Sequence, residues 1–140
     1  MNNFNLSAML GAVEAEKLRA IDRLEGLARS VVQDVADQVK GNTPVHTGNL
    51  RASWQPSIGN APSEGQAGSD PDYGAVIANL SLGETFWLVN NAAYARRVEE
   101  GFTGKDKLGR NYDQQGRHWV RDAVMRFPAI VNAKAAEWSK

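Results

Sequence analysis

The 140-residue chain contains no cysteine, which excludes thiolate metal sites, thiol catalysis and a disulfide framework. It also lacks net charge. Sixteen basic and sixteen acidic residues cancel, so the overall positive field of a dedicated nucleic-acid binder is missing. No run approaches the roughly 18 apolar residues of a membrane span, so no membrane partner is expected. Met1-Asn2-Asn3-Phe4-Asn5-Leu6 has neither a basic n-region nor an apolar h-region, so no secretory signal is expected there. The two histidines, His46 and His118, lie in unrelated contexts, without the spacing that helical metal motifs require.

What remains fits one domain over residues 1–140, long enough to bury about two-thirds of its unfolded surface. Charge is balanced overall but not locally. Between Asn60 and Thr85 the charged residues are Glu64, Asp70, Asp72 and Glu84 alone, whereas basic residues predominate between Arg96 and Arg126. Two solvated faces of opposite tint are one account. The other is a head-to-tail contact in which one subunit's basic side meets its neighbour's acidic side.

Apolar residues at Leu10, Val13, Leu18, Ile21, Leu24, Ala28, Val31, Val35 and Val39 recur at three- and four-residue steps, predicting a helix over 8–40. Ser7 is its candidate N-cap, and Gly41 followed by Pro44 its stop. Such a helix is about 45–50 Å long, more than a compact domain of this size needs. It is expected to project, to bend at Gly26, or to pack on neighbouring subunits. Thr47 is the expected N-cap of a short second helix, in which Leu50 and Trp54 share a face.

An α+β core follows over about 43–138, with a first strand at 54–58 and a polar loop at 60–72. Alternation over Tyr73–Leu80 and Thr85–Asn90 reads as a hairpin turned at Gly83. A helix is expected over 92–100, a second polar loop over 101–116, and a last helix over 117–138. That helix carries Val120, Val124, Phe127, Val131 and Ala135 on one stripe, and Pro128 should kink or divide it. The fold class is therefore α+β: a long N-terminal helix, one small antiparallel sheet with a hairpin, and two further helices.

Catalytic constellations do not assemble. Glu99 and Glu100 are adjacent on a helix and diverge by about 100°, so they cannot share a pocket, and an Arg96–Glu100 or Arg96–Glu99 surface pair accounts for them. Ser53 lacks the Gly-x-Ser-x-Gly elbow, and the glycines at 101, 104 and 109 match no phosphate loop. Neither enzyme, cofactor nor metal is expected. The segment 102–121 interleaves Lys105, Lys107, Arg110, Arg117 and Arg121 with Phe102, Tyr112 and Trp119. It is the candidate nucleic-acid module, although Arg, Tyr and Trp are equally enriched at protein interfaces. Trp87 is expected to face a partner, because Phe86 and Leu88 fill the other side of its strand.

Two strings remain, Thr43-Pro44-Val45-His46-Thr47-Gly48-Asn49-Leu50-Arg51-Ala52-Ser53 and Asn90-Asn91 with Tyr94-Ala95 and Val98-Glu99-Glu100-Gly101. In this order and distance they resemble the tailed-phage neck and tail-completion family, which includes relatives of the phage lambda protein Z. His46 stands where that family usually has Asp, and Glu100 where it commonly has an aromatic residue.

The resemblance implies a structural virion protein, assembled in the host bacterial cytoplasm, that forms a ring at the head–tail junction. Sixfold symmetry would match the tail and twelvefold the portal. The implied partners are further copies of the chain, a head-closure or connector protein, and a tail terminator or tail-tube protein. Genome DNA passing through the lumen would meet Lys105, Lys107, Arg110 and Arg117. Trp87, Arg96, Arg97, Glu99, Glu100, Lys105, Lys107 and Arg110 are the expected interface residues.

Overall fold

The computed structural model describes residues 5–62 and 68–139. The chain is α+β. In order it forms α1 (Leu6–Asn42), α2 (Asn49–Ala52), β1 (Trp54–Ile58), α3 (Tyr73–Ile77), β2 (Phe86–Asn90), α4 (Ala95–Glu100), β3 (Gly101–Lys105), β4 (Asn111–Gln115) and α5 (Trp119–Trp138). Residues 63–67 of the loop expected over 60–72, Glu64 among them, lie outside the described residues, as do 1–4 and 140.

Helix α1 is longer at both ends than its periodicity indicates. Asn5 rather than Ser7 is the N-cap, its Oδ1 accepting from the Ala8 amide at 3.2 Å. At the other end the helix runs through Gly41 and stops at Asn42, because Pro44 holds Thr43 extended. Helix α1 continues unbroken through Gly26. A Cβ at Gly26 would stand 2.4 Å from the Trp138 ring, so the glycine makes room for the end of α5 and does not serve as a hinge.

Trp119, at the start of α5, clusters with Ala36 and Val39 near the end of α1. The two helices therefore run antiparallel, and α5 ends level with Gly26. Everything N-terminal of that point overhangs. From Leu6 to Arg23 every residue is exposed except the half-buried Ala15 and Ile21.

Tyr73–Leu80 does not form the expected strand of a hairpin. Asp72 caps a helical turn, with its Oδ1 accepting from the Ala75 amide, and Tyr73, Ile77 and Leu80 are all buried. Their spacing of four and three is helical, and it prevailed over a two-residue alternation too short to decide. Gly83 still makes a turn at positive φ, but that turn leads from α3 into β2. The partner of β2 is β1, antiparallel, with Trp54 opposite Asn90 and Ile58 opposite Phe86. Pro56 is tolerated because β1 pairs on one side only, and its missing N–H faces the open edge.

Residues 101–116 are likewise not the expected polar loop. This segment is a β-hairpin, β3 against β4 with Gly101 opposite Gln115 and Lys105 opposite Asn111. Its turn is organised by Asp106, which accepts from the Leu108 and Arg110 amides at 2.9 Å each and from Arg110 Nε at 2.6 Å. The hairpin was invisible to hydrophobic patterning because β4 is exposed at all five positions. The sheets are thus two separate two-stranded pairs.

Helix α5 is rotated relative to the expected stripe. It buries Trp119, Ala123 and Ile130, leaving Val124 65% exposed. The large Trp119 ring enters the core and sets the phase, and Val124 then points about 100° away. Pro128 lies within a single continuous helix. Its ring removes one bond to the carbonyl of Val124, and that residue sits in water. The core joins Ala36, Val39, Leu50, Trp54, Tyr73, Ile77, Ala92, Trp119 and Ala123.

Candidate functional site

The two strings singled out in the sequence meet in space as one joint. Asn90 Nδ2 donates to the Leu50 carbonyl at 2.8 Å, and its Oδ1 accepts from the Ala92 amide at 3.0 Å. The Asn91 amide donates to the Ser53 carbonyl, and Asn49 Nδ2 to the Tyr94 hydroxyl at 3.2 Å. Ser53 is fully buried; its hydroxyl donates to the Asn49 carbonyl and accepts from the Gly68 amide. Asn and Ser recur here because short polar side chains satisfy backbone groups that no ladder or helix reaches.

The joint is anchored on α1 by Thr43 and Arg51. The Thr43 hydroxyl is buried, donates to the Val39 carbonyl at 2.7 Å and accepts from the Trp54 indole N–H at 2.9 Å. Arg51 donates to the Gly41 carbonyl at 2.9 Å, satisfying a carbonyl of the last turn of α1. Gly48, not Thr47, occupies the N-cap position of α2, at φ +87°. Thr47 contributes from one residue earlier, its hydroxyl accepting from the Asn49 amide at 3.4 Å. Read singly these residues predict only local turns; Thr43 and Asn90 as cross-chain fasteners carry no signal short of the fold.

Glu99 and Glu100 separate into distinct roles. Glu100 pairs with Arg96 at 2.9 Å on the surface. Glu99 reaches across to α5, its two carboxylate oxygens accepting from the Val120 amide at 3.1 Å and the Arg121 amide at 3.0 Å. This carboxylate caps α5 from outside, because the N-cap residue, His118, is in the left-handed region (φ +53°) and makes no side-chain cap. The backbone reinforces the seam: Arg117 and His118 amides donate to the Val98 and Glu99 carbonyls. Gly116 is required there, since a Cβ would lie 2.5 Å from the Glu99 carbonyl oxygen.

Around this joint lie two open depressions with a common wall of His46, Tyr94, Val98 and Gln114. The first, of about 720 Å³, adds Pro44, Asn49 and Arg117. The second, of about 1010 Å³, follows the hairpin and gathers Arg97, Phe102, Lys105, Lys107, Arg110 and Tyr112. Arg97 lies 4.0 Å over the Phe102 ring, a cation–π contact, and Phe102 stacks obliquely on Tyr112. Arg110 is held by Asp106, whose carboxyl is kept below the usual range mainly by the hydrogen bond from the Arg110 backbone. Lys105 and Lys107 have no ion-pair partner among the described residues.

Of the expected contact residues, Arg97, Lys105, Lys107 and Arg110 are therefore brought together. Arg117 lies in the adjoining depression, and Trp87 lines neither. Trp87 is 40% exposed on β2, its indole N–H donating to the Gly59 carbonyl at 3.0 Å.

An apolar groove of about 360 Å³ lies elsewhere, between α1, the β1–β2 pair and α5. Val32, Val35, Phe86, Leu88, Val120 and Phe127 form its rim and walls over a floor of buried Ala36, Val39 and Trp54. Phe127 falls on the stripe assigned to the core, yet it is 46% exposed because no part of the described chain covers it. The described residues include no acid/histidine cluster able to hold a metal, and no described helix is long and apolar enough to cross a membrane.

The burial of Tyr73 illustrates how tightly the centre is closed. Its hydroxyl is pushed far above the ordinary tyrosine range, first by burial and then by the charges of Asp70 and Asp37. Lys40 sits 4.8 Å over its ring while pairing with Asp70 at 2.6 Å.

Over residues 8–101 the chain matches the family model described as "HK97-gp10_like: Bacteriophage HK97-gp10, putative tail-component". No curated protein and no solved structure matches the chain. The matched span contains both strings of the joint and ends at the first residue of β3.

Proposed function

Because the chain belongs to the HK97-gp10-like family of bacteriophage tail components, we propose that it forms a ring at the head–tail junction, completing the tail or neck and joining it to the head. The family is structural rather than enzymatic. The observation that carries the reading is the joint itself. The matched span holds its side chains in internal fastening: Asn90, Ser53 and Glu99 spend their polar atoms on the chain's own backbone, and Thr43 on the Val39 carbonyl and the Trp54 indole. A segment so committed serves as a rigid scaffold that presents surfaces.

In this reading copies of the chain meet through a heterologous contact repeated by rotation until it closes. A head-closure or connector protein lies on one side and a tail terminator or tail-tube protein on the other. Sixfold closure matches the tail, and twelvefold closure would match the portal. Trp87, Arg96, Arg97, Glu100 and the hairpin residues Lys105, Lys107 and Arg110 supply contacts to these neighbours. The protein is assembled in the host bacterial cytoplasm and retained in the virion.

The test is to disrupt the gene in the phage that carries it and to image the lysate. Separate filled heads and finished tails are expected, with this chain placed at the junction in density from intact particles. Normal joining without the protein, or virions that lack it, would overturn the reading.

The Arg97–Phe102 stack and the two unpaired lysines favour one further reading of the hairpin depression, that it touches DNA. Contacts of that kind are weak and independent of base sequence, and suit a lumen. A steep fall of DNA affinity with salt, abolished by Lys105→Ala with Lys107→Ala, is the expected result. Salt-insensitive binding would refute it.

A further inference from the structure

Two apolar surfaces of this chain are bare, and they cannot cover each other within one molecule. The first is the overhang of α1. Leu6, Leu10, Val13 and Leu24, flanked by Met9, are 42–60% exposed, and their steps of four, three and eleven residues keep them on one face. The face continues, at the same phase, the one that carries buried Val31 and half-buried Val35 further along the helix. The second surface is the groove rimmed by Val32, Val35, Phe86, Leu88, Val120 and Phe127.

We infer that the overhanging stripe of one subunit fills the groove of the next, and that this contact links the ring; the inference rests on the ring-forming reading given above. Geometry excludes the intramolecular alternative. The stripe and one wall of the groove lie on the same unbroken helix, and Val13 stands about 28 Å along its axis from Val32. A straight helix cannot fold back onto itself, so the groove can receive this stripe only from another copy. Each copy then offers one stripe and one groove, which makes the contact heterologous and self-propagating.

Area points the same way. The exposed fractions of the stripe leave on the order of 500 Å² of apolar surface bare, within the range of the largest patch on a typical monomer, which is often a functional one. A partner surface of matching area would bring the contact to about 1,000 Å² in total, the least that a specific interface buries. The docking mode is that of an amphipathic helix laid in a hydrophobic groove.

Because the native chain has no cysteine, the test is clean. Leu10→Cys and Phe127→Cys are made singly and together in the full chain and oxidised mildly. Self-association of Leu10→Glu and Phe127→Glu is measured by sedimentation. Both positions are exposed, so the variants should keep the wild-type circular dichroism and melting temperature. The double-cysteine chain is expected to give a ladder of cross-linked oligomers ending at the ring, and each single variant only monomers. Either glutamate substitution should weaken self-association at least tenfold. An equimolar mixture of the two glutamate variants should form dimers and nothing larger, since one retains a groove and the other a stripe. Cross-linking by Leu10→Cys alone would mean stripe against stripe and would overturn the inference. So would oligomers untouched by both glutamates, although the ring reading would then stand. A wild-type chain that does not associate, together with a double-cysteine chain that does not cross-link, would defeat both.

Discussion

Replacing Glu99 by Ala removes two acceptors from the first turn of α5 at once. The Val120 and Arg121 amides, now bonded at 3.1 and 3.0 Å, lose their partners, and a negative charge leaves the positive end of a 20-residue helix. Loss of an N-terminal cap costs about 0.5–2 kcal/mol, and loss of the charge–dipole attraction about 0.3–1 kcal/mol. The sum is about 1–3 kcal/mol, or roughly 3–12 °C in melting temperature for a chain of this size.

Glu100, its neighbour in the chain, offers an internal control of the same chemistry. Its contact with Arg96 joins side chains that are 58% and 86% exposed, and such a pair, screened by water on a helix surface, contributes little to stability. Thermal unfolding of Glu99→Ala, Glu99→Gln and Glu100→Ala, followed by circular dichroism, is the assay. Glu99→Gln keeps one oxygen acceptor but loses the charge, and should fall between the other two. Equal losses from Glu99→Ala and Glu100→Ala would refute the capping argument, as would a glutamine variant as stable as wild type.

Three further outcomes follow from the same contacts. Thr43→Val should cost about 1–3 kcal/mol, since it strands the buried Trp54 N–H and the Val39 carbonyl; denaturant titration of that variant against Thr43→Ser, which keeps the hydroxyl, checks it. Gly26→Ala gains about 1 kcal/mol of helix propensity but displaces the Trp138 ring, whose partial burial contributes about 2–3 kcal/mol. The wild type should therefore be destabilised by it, whereas the same substitution should stabilise a Trp138→Ala background; a common sign in both backgrounds rules out the steric account. Asp106 has its folded pKa lowered, so its contribution to the hairpin turn is fully present above the ordinary aspartate pKa of about 3.9 and lost as pH falls below it through the lowered value. Amide exchange in β3 and β4 should quicken over that acid range in the wild type and show no such step in Asp106→Asn.

How much was legible in the residues varies with the source of each element's stability. The two long helices were, because apolar steps of three and four persist over many turns in Leu10–Val39 and again after Arg117. So were a stop ahead of Pro44, expected at Gly41 and found at Asn42, the strands expected at 54–58 and 85–90, and the surface pair of Arg96 with Glu100. These rest on local geometry: ring closure at proline, helical period, pleat. The kinship to a phage tail component was also legible, in the strings 43–53 and 90–101, which the family match over 8–101 spans.

Tertiary structure decided the rest. Tyr73–Ile77 became helix rather than strand because burying Tyr73 and Ile77 together against the core outweighed an alternation of only a few residues. The hairpin 101–115 buries too little for any hydrophobic pattern to announce it, and exists through backbone pairing and the Asp106 turn. Two adjacent glutamates, equal in the sequence, parted because His118 brings the bare amides of α5 within reach of only one of them. The phase of α5 belonged to Trp119, and that choice left Phe127 at an open groove. Which face of an element meets its own core, and which is left for a neighbour, depends on how the elements are set against one another in space; periodicity along the chain supplies the faces but not their partners.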